Sequence, residues 1–285
     1  MGSWEWLQLA TKSLYYASFA LLAGGMLVHA IAPSARSLCQ RYLLSGAIGG
    51  LFAASGFFFA QVGSFAGAGT SGAVDPFYVG MLWDFGSGDA LALRIVGFLL
   101  AALGVFLTDR ARPAIPWLVL AGVLLNGVSF TVTGHGAEAD LAGKAVLLLH
   151  ALAGATWMGA LLPLWRLCYV LETTALVRVM QRFASFMAWV LALLLACGVY
   201  MAFRLGGTEV LCLNDGWSLA LCAKLLLVAC LLLVAAVNRW RLVPRLATSQ
   251  GHRPLAFALL LDSFLAVTVL LCTAYLTTLV GPPEH

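Results

Sequence analysis

Long apolar runs alternate with short polar connections along the whole chain, and these runs predict its secondary structure. Eight runs are long enough to cross a bilayer as helices, which takes about 20 residues each. They lie at approximately 9–32, 43–66, 90–108, 114–133, 142–167, 183–205, 216–237 and 255–280. The pattern therefore predicts an all-α polytopic membrane protein, a single domain at 1–285 built as a bundle of eight transmembrane helices. The longest irregular connection, at 67–89, is expected to fold over the outer face.

Positive charge indicates how the bundle is oriented. Eleven of the sixteen lysines and arginines follow the odd-numbered spans: Arg36, Arg41, Arg110, Arg112, Arg166, Arg178, Arg182, Arg239, Arg241, Arg245 and Arg253. Cytoplasmic connections carry the excess of basic residues, so we predict that both termini are periplasmic. Most acidic residues fall at the opposite, outer ends, where together they would attract cations.

Composition supports a membrane protein and excludes a nucleic-acid-binding one. The chain is 62% hydrophobic and 10% charged, and its net charge of +4 is not gathered in one patch. Its surroundings are therefore expected to be the lipid bilayer, with no nucleic acid as a partner. None of the seven cysteines forms a CxxC pair. Cys212 and Cys222 have the one spacing that suggests a disulfide.

A weak internal repeat relates the two halves of the chain. Arg41 opens span two and precedes Gly56 by fifteen residues, while Arg182 opens span six and precedes Gly198 by sixteen. Spans that are four apart run in the same direction. The repeat therefore predicts a parallel 4+4 duplication with halves 1–140 and 141–285, and it puts any binding site near their junction.

Span five is the most informative run, because it carries a histidine in an otherwise apolar sequence. At 3.6 residues per turn, His150, Gly154 and Trp157 share one face, and Met158 lies at its edge. Gly154 and Gly159 would let a neighbouring helix approach closely. A histidine is costly in lipid, so its ring is expected to face the bundle interior. It is either a hydrogen-bonded structural residue or a ligand of a metal or cofactor.

A second histidine lies just past the outer end of span four. Only a short connection separates His135 from span five, so antiparallel packing could bring its imidazole to that of His150. Imidazole suits copper, nickel and zinc, and a thioether selects Cu(I). With Met158 and Glu138 as further ligands, the four residues form a candidate periplasmic metal site.

Three charged residues within the spans also need an explanation. Arg94 and Lys224 either extend outward to the interface or pair with acids of the outer connections. Asp262 must be protonated, paired or hydrated. We expect a structural pair, and the candidates at similar depth are Asn238, Arg239 and Arg182.

Several stretches resemble the copper resistance protein D family of bacterial inner-membrane proteins. They are His150-x6-Trp157-x-Gly159-x3-Pro163, Arg182-Phe183 leading to Gly198-x-Tyr200, Lys224 leading to Asn238-Arg239-x4-Pro244-Arg245, and the closing Gly281-Pro282-Pro283. The first half is similar mainly in its number of spans, in His29 and in Gly134-His135-Gly136. The family more often has a glutamate where this chain has Asp262.

The resemblance implies a multi-pass protein of the bacterial cell inner membrane that acts in copper homeostasis and resistance. It implies movement of copper ions from the periplasm across the membrane, with a periplasmic copper-binding partner of the copper resistance protein C type. His135 and His150 are the residues it marks as copper-binding; it leaves open whether the ion is Cu(I) or Cu(II). We expect a permease and no enzyme. The sequence has no nucleotide-binding loop, so an ion gradient or the membrane potential would drive transport.

Two other functions are compatible with the same residues. A membrane electron-transfer protein with b-type haem would need two axial ligands at suitable depth. His29 and His150 lie toward opposite faces, which leaves His135 and His150 as the candidate pair. A non-transporting copper sensor or anchor for a periplasmic partner is the second alternative, and 67–89 would then be its main docking surface.

Overall fold

The computed structural model describes residues 2–107, 115–206, 216–246 and 251–281. Every regular element in those ranges is helical. The helices are α1 (Ser3–Ile31), α2 (Arg36–Ala66), α3 (Gly69–Ala73), α4 (Pro76–Leu82), α5 (Gly88–Leu107), α6 (Ile115–Val128), α7 (His135–Glu138), α8 (Leu141–Val170), α9 (Thr173–Gly206), α10 (Gly216–Val237), α11 (Val243–Arg245) and α12 (Arg253–Tyr275).

Seven helical segments of the described chain are long and apolar enough to cross a membrane. They are Ser3–Ile31, Pro33–Ala66, Pro76–Leu107, Leu141–Val170, Thr173–Arg204, Gly216–Arg245 and Arg253–Val280. The fourth predicted span falls on a shorter apolar helix, Pro116–Thr131. The all-α polytopic class is thus confirmed, whereas the count of eight spans and the periplasmic termini stay predictions.

The segment predicted as an irregular outer connection is largely helical. Gly67 ends α2 with a φ of +61°, a backbone conformation that favours glycine. Asp75 then caps α4, because its carboxylate accepts a hydrogen bond of 2.9 Å from the Phe77 amide. A kinked turn, with Gly86 at a φ of +80°, leads into α5. Local capping residues therefore organise 67–89 into short helices.

Two apolar clusters make up the core. One joins α1, α2, α5 and α6 and includes Tyr15 and Phe98. The other joins α8, α9 and α12 with parts of α1, α2, α10 and α11, and it includes Leu164 and Leu259. Helix α8 contributes to both, with Ala155 in the first cluster and Trp157 in the second. Residues of α1 and α2 also belong to both clusters, and the division into halves 1–140 and 141–285 stays a prediction.

Helices α1 and α8 cross at backbone contact, and two glycines make this possible. A Cβ atom added at Gly159 would overlap the carbonyl of Ala20, and one added at Gly24 would overlap the backbone of Ala160. Gly154 differs, because a Cβ there would meet only Leu194 Cδ1 at 3.6 Å. The close approach predicted for span five is therefore present at Gly159 and absent at Gly154. Helix α8 also continues through Pro163 to Val170.

Candidate functional site

His150 projects from α8 toward α9. Its Nδ1 lies 3.2 Å from the carbonyl oxygen of Leu194. One turn further along α9, Gly198 provides the space for the ring, because a Cβ there would lie 3.2 Å from His150 Cε1. The bare backbone of Gly198 and the carbonyl of Leu194 thus form a seat for the imidazole.

The hydrogen bond to Leu194 determines which ring nitrogen of His150 can bind a metal. A carbonyl oxygen only accepts hydrogen bonds, so Nδ1 carries the hydrogen and donates it. In the neutral ring, Nε2 then keeps its lone pair. A backbone carbonyl that accepts from the second ring nitrogen is a common support for a metal-binding histidine. The geometry therefore suits His150 as a ligand through Nε2.

Two more of the predicted ligands, His135 and Glu138, lie in α7. Helix α7 packs against α8, so its residues lie close to the N-terminal end of α8, and Glu138 is exposed there. The side chain of His135 lies outside the described part of the chain. Convergence of His135 and His150 therefore stays a prediction. Among the described residues, no group of three or more His, Cys, Asp or Glu side chains is arranged to hold a metal ion.

Trp157 and Met158 occupy two different environments deeper in α8. Trp157 is only 2% exposed and packs within the second apolar cluster. Met158 lines an apolar cleft of about 640 Å³ between α1, α8 and α12, with Leu21 and Phe264 among its walls. Eight residues of helix separate His150 from Met158, about 12 Å along the axis. These two side chains therefore lie at two different depths along α8, which we call the His150 level and the Met158 level.

Lys224 on α10 lies close enough to His150 and Cys272 for its charge to act on both. Its two predicted roles, extension to the interface and pairing with an outer acid, stay predictions.

Arg94 takes neither of its two predicted roles, because it is buried at 7% exposure without an acidic partner among the described residues. Its Nε donates to Ser129 Oγ over 3.1 Å. Its guanidinium carbon lies 4.5 Å from the centre of the Tyr15 ring, a distance at which an aromatic face stabilises a cation. An aromatic face and a hydroxyl therefore hold this charge in place of a carboxylate.

Lys12 is a second cation in the same region, and the sequence interpretation did not single it out. Its Nζ donates to the Thr277 carbonyl over 2.9 Å and lies 5.4 Å from the centre of the Phe57 ring. Tyr15 and Tyr16 stand on the next turn of α1 after Lys12. The sequence feature that could have indicated this role of Lys12 is a lysine followed by two tyrosines within an apolar run.

Asp262 is hydrogen-bonded to Asn238, one of its three candidate partners. Asn238 Nδ2 donates to Asp262 Oδ2 over 2.9 Å. Arg239, another candidate, donates instead to the carbonyl of Ala184 on α9. The predicted disulfide between Cys212 and Cys222 falls outside the described residues, because Cys212 is not among them.

The described helices define a multi-pass α-helical membrane protein with polar and charged groups inside its spans. Two family models match the chain: "Copper resistance protein D" over residues 177–276, and "Copper resistance protein D-like, N-terminal domain" over residues 1–145. The chain therefore belongs to the copper resistance protein D family, which confirms the resemblance and gives it a role in copper resistance. Neither the comparison with curated proteins nor that with solved structures gives a match.

Proposed function

We propose that this protein moves copper ions from the periplasm across the bacterial cell inner membrane. The observation that carries the proposal is the seat of His150, where the Leu194 carbonyl fixes Nδ1 as the donor and leaves Nε2 for an ion. Family membership favours copper over nickel or zinc as that ion, and it favours copper handling over haem-based electron transfer.

The ion would pass two levels of α8 in turn. His135 and Glu138, in the short helix that packs against α8, would receive copper at the acidic outer face. His150 would bind it about 14 Å below the start of α8. Met158 lies further in, where its thioether would suit Cu(I). Copper would move beside Trp157, which forms part of the packed wall between the two levels.

Weak binding at each level would allow the ion to leave again. Neither level contains a thiolate in this proposal, so copper would bind weakly enough at each level to be released. With no nucleotide-binding loop in the sequence, an ion gradient or the membrane potential would supply the driving force. A periplasmic copper-binding protein of the copper resistance protein C type would deliver the ion over α3 and α4.

The test is copper uptake by vesicles that contain the full-length protein. We expect His150→Gln to lower the initial uptake rate by roughly tenfold or more, as loss of a metal ligand does. Glutamine keeps a donor for the Leu194 carbonyl, so the packing between α8 and α9 is retained. His150→Ala should give the same loss.

The matched control is His252→Gln, a second histidine that lies beside Tyr169 at the other end of the bundle. Its uptake should stay near that of the wild type. Uptake that is unchanged in both His150 variants would remove His150 from the path. A Soret absorption band in the purified protein would favour the haem alternative. Copper-dependent binding of a periplasmic partner without uptake would favour the sensor or anchor.

A further inference from the structure

The pair formed by Asp262 and Asn238 is buried inside the second apolar cluster. Asp262 is 1% exposed and Asn238 is 8% exposed. Asp262 lies on α12, two and a half turns from its first residue, Arg253. In the hydrocarbon core no water is available, so a polar atom must find its hydrogen-bond partner within the protein. A carboxylate at this position therefore needs a compensating group.

Two oxygen atoms of the pair are without a hydrogen-bond partner in the described structure. They are Oδ1 of Asp262 and Oδ1 of Asn238. Both are acceptors when the carboxyl group is ionised, so they cannot satisfy each other. A protonated carboxyl group, in contrast, carries one O–H donor. A single proton shared between these two oxygens would satisfy both of them and would remove the buried charge.

No cation takes the place of that proton among the described residues. Within the described ranges, the hydrogen bond from Asn238 is the one side-chain hydrogen bond of the Asp262 carboxyl group. Three helices pack against α12, namely α1, α8 and α10. The lysines of α1 and α10 interact elsewhere, Lys12 with the Thr277 carbonyl and Lys224 with His150 and Cys272. Arg239 donates to the carbonyl of Ala184.

The backbone at Asn238 is also irregular. A π-helical turn runs from Asn238 to Leu242 and interrupts an otherwise regular helix. Its closing hydrogen bond joins the Val243 amide to the Asn238 carbonyl. Single π turns of this kind occur frequently at functional sites, because they re-aim a side chain without ending the helix. The Asn238 side chain reaches Asp262 on α12 from the first residue of this turn.

We propose that Asp262 and Asn238 form a proton-binding site inside the membrane. When the site holds its proton, Asp262 Oδ1–H donates to Asn238 Oδ1, and Asn238 Nδ2–H donates to Asp262 Oδ2. This cyclic acid–amide pair leaves no side-chain oxygen unsatisfied. A metal cation fits less well, because hard cations take about six oxygen ligands and the pair offers two free ones. Loss of the proton leaves a buried negative charge, which a passing cation would compensate. Protonation of Asp262 can therefore be linked to the passage of a cation.

Infrared spectroscopy of the full-length protein in lipid nanodiscs tests this directly. A protonated carboxyl group has a C=O stretching band that a carboxylate lacks and that shifts in D2O. We expect one such group per chain at neutral pH without copper, and none in Asp262→Asn. Asparagine retains the size of the side chain and offers an N–H to Asn238, so this variant should fold. The control Glu172→Gln, which removes an exposed carboxylate, should keep the band.

A second variant tests the role of the partner. Asn238→Leu removes the acceptor, so the band should move to the higher frequency of a carboxyl group with a weaker hydrogen bond. A wild type without the band at neutral pH would overturn the proposal. Loss of the band on adding Na⁺ or K⁺ would also overturn it and would assign the two oxygens to a cation. The infrared samples contain no copper, so the result is independent of whether the protein transports copper.

Discussion

Replacement of Gly159 by alanine is expected to lower the free energy of unfolding by about 3 kcal/mol, the upper part of the range for overpacked cores. The added methyl group would overlap the carbonyl of Ala20 on α1. Backbone atoms on both sides of the contact leave no flexible side chain to move aside. Helices α1 and α8 would have to separate, and their contact joins the two apolar clusters of the core.

Gly154→Ala is the matched control, since it adds the same methyl group to the same helix. There the new atom would lie 3.6 Å from Leu194 Cδ1, an ordinary contact distance. Alanine also favours a helix over glycine by roughly 0.8–1 kcal/mol, so this variant should be at least as stable as the wild type. The two variants are compared by thermal unfolding in detergent and by the yield of monodisperse protein. Equal loss in both would show that the α1–α8 contact is not the cause.

The class of fold followed from the sequence, because a membrane span is specified by local composition. Long apolar runs have few alternatives in a bilayer, where every backbone group must be bonded within the segment. The connection at 67–89 was harder to predict from its composition. Its glycines indicated loops, but Asp75 and Pro76 start a helix there by capping it. A cap depends on one or two residues, which an average over composition does not register.

The candidate site could be predicted only in part. The position of His150 in an apolar run indicated that its ring faces a neighbouring helix, and α9 is that neighbour. Its partners could not be named, because a backbone carbonyl such as that of Leu194 has no signature in the sequence. The empty space at Gly198 likewise has meaning only once α9 lies against α8.

The basic side chains of Lys12 in α1 and Arg94 in α5 illustrate a related limit of prediction from sequence. The sequence argument offered Arg94 two roles, extension to the interface or pairing with a carboxylate, because ion pairs are a familiar means of burying charge. The structure uses the ring of Tyr15 and the hydroxyl of Ser129. Aromatic residues are abundant in membrane helices. Their number therefore did not indicate which ring lies beside which cation.

The replacement Trp157→Ala is expected to destabilise the protein by about 2–3 kcal/mol. Both folded and unfolded states stay in lipid, so the transfer of the indole from water contributes little. The cavity remains as the main cost, at about 24 cal/mol per Å³ for a void on the order of 100 Å³. Trp157 is 2% exposed, and Leu161 and Leu164 belong to the same buried cluster. The change is measured as the shift in thermal unfolding.

Trp189→Ala supplies the control, because that indole on α9 is 81% exposed and its removal leaves no internal void. A Trp157→Ala protein as stable as Trp189→Ala would contradict the core role of Trp157. Trp157→Phe separates packing from transport, since the phenyl ring fills much of the same space. If the copper uptake per folded molecule is unchanged in Trp157→Phe, the indole acts through its packing between the His150 level and the Met158 level. If uptake falls while the protein stays folded, the indole itself contacts the moving ion.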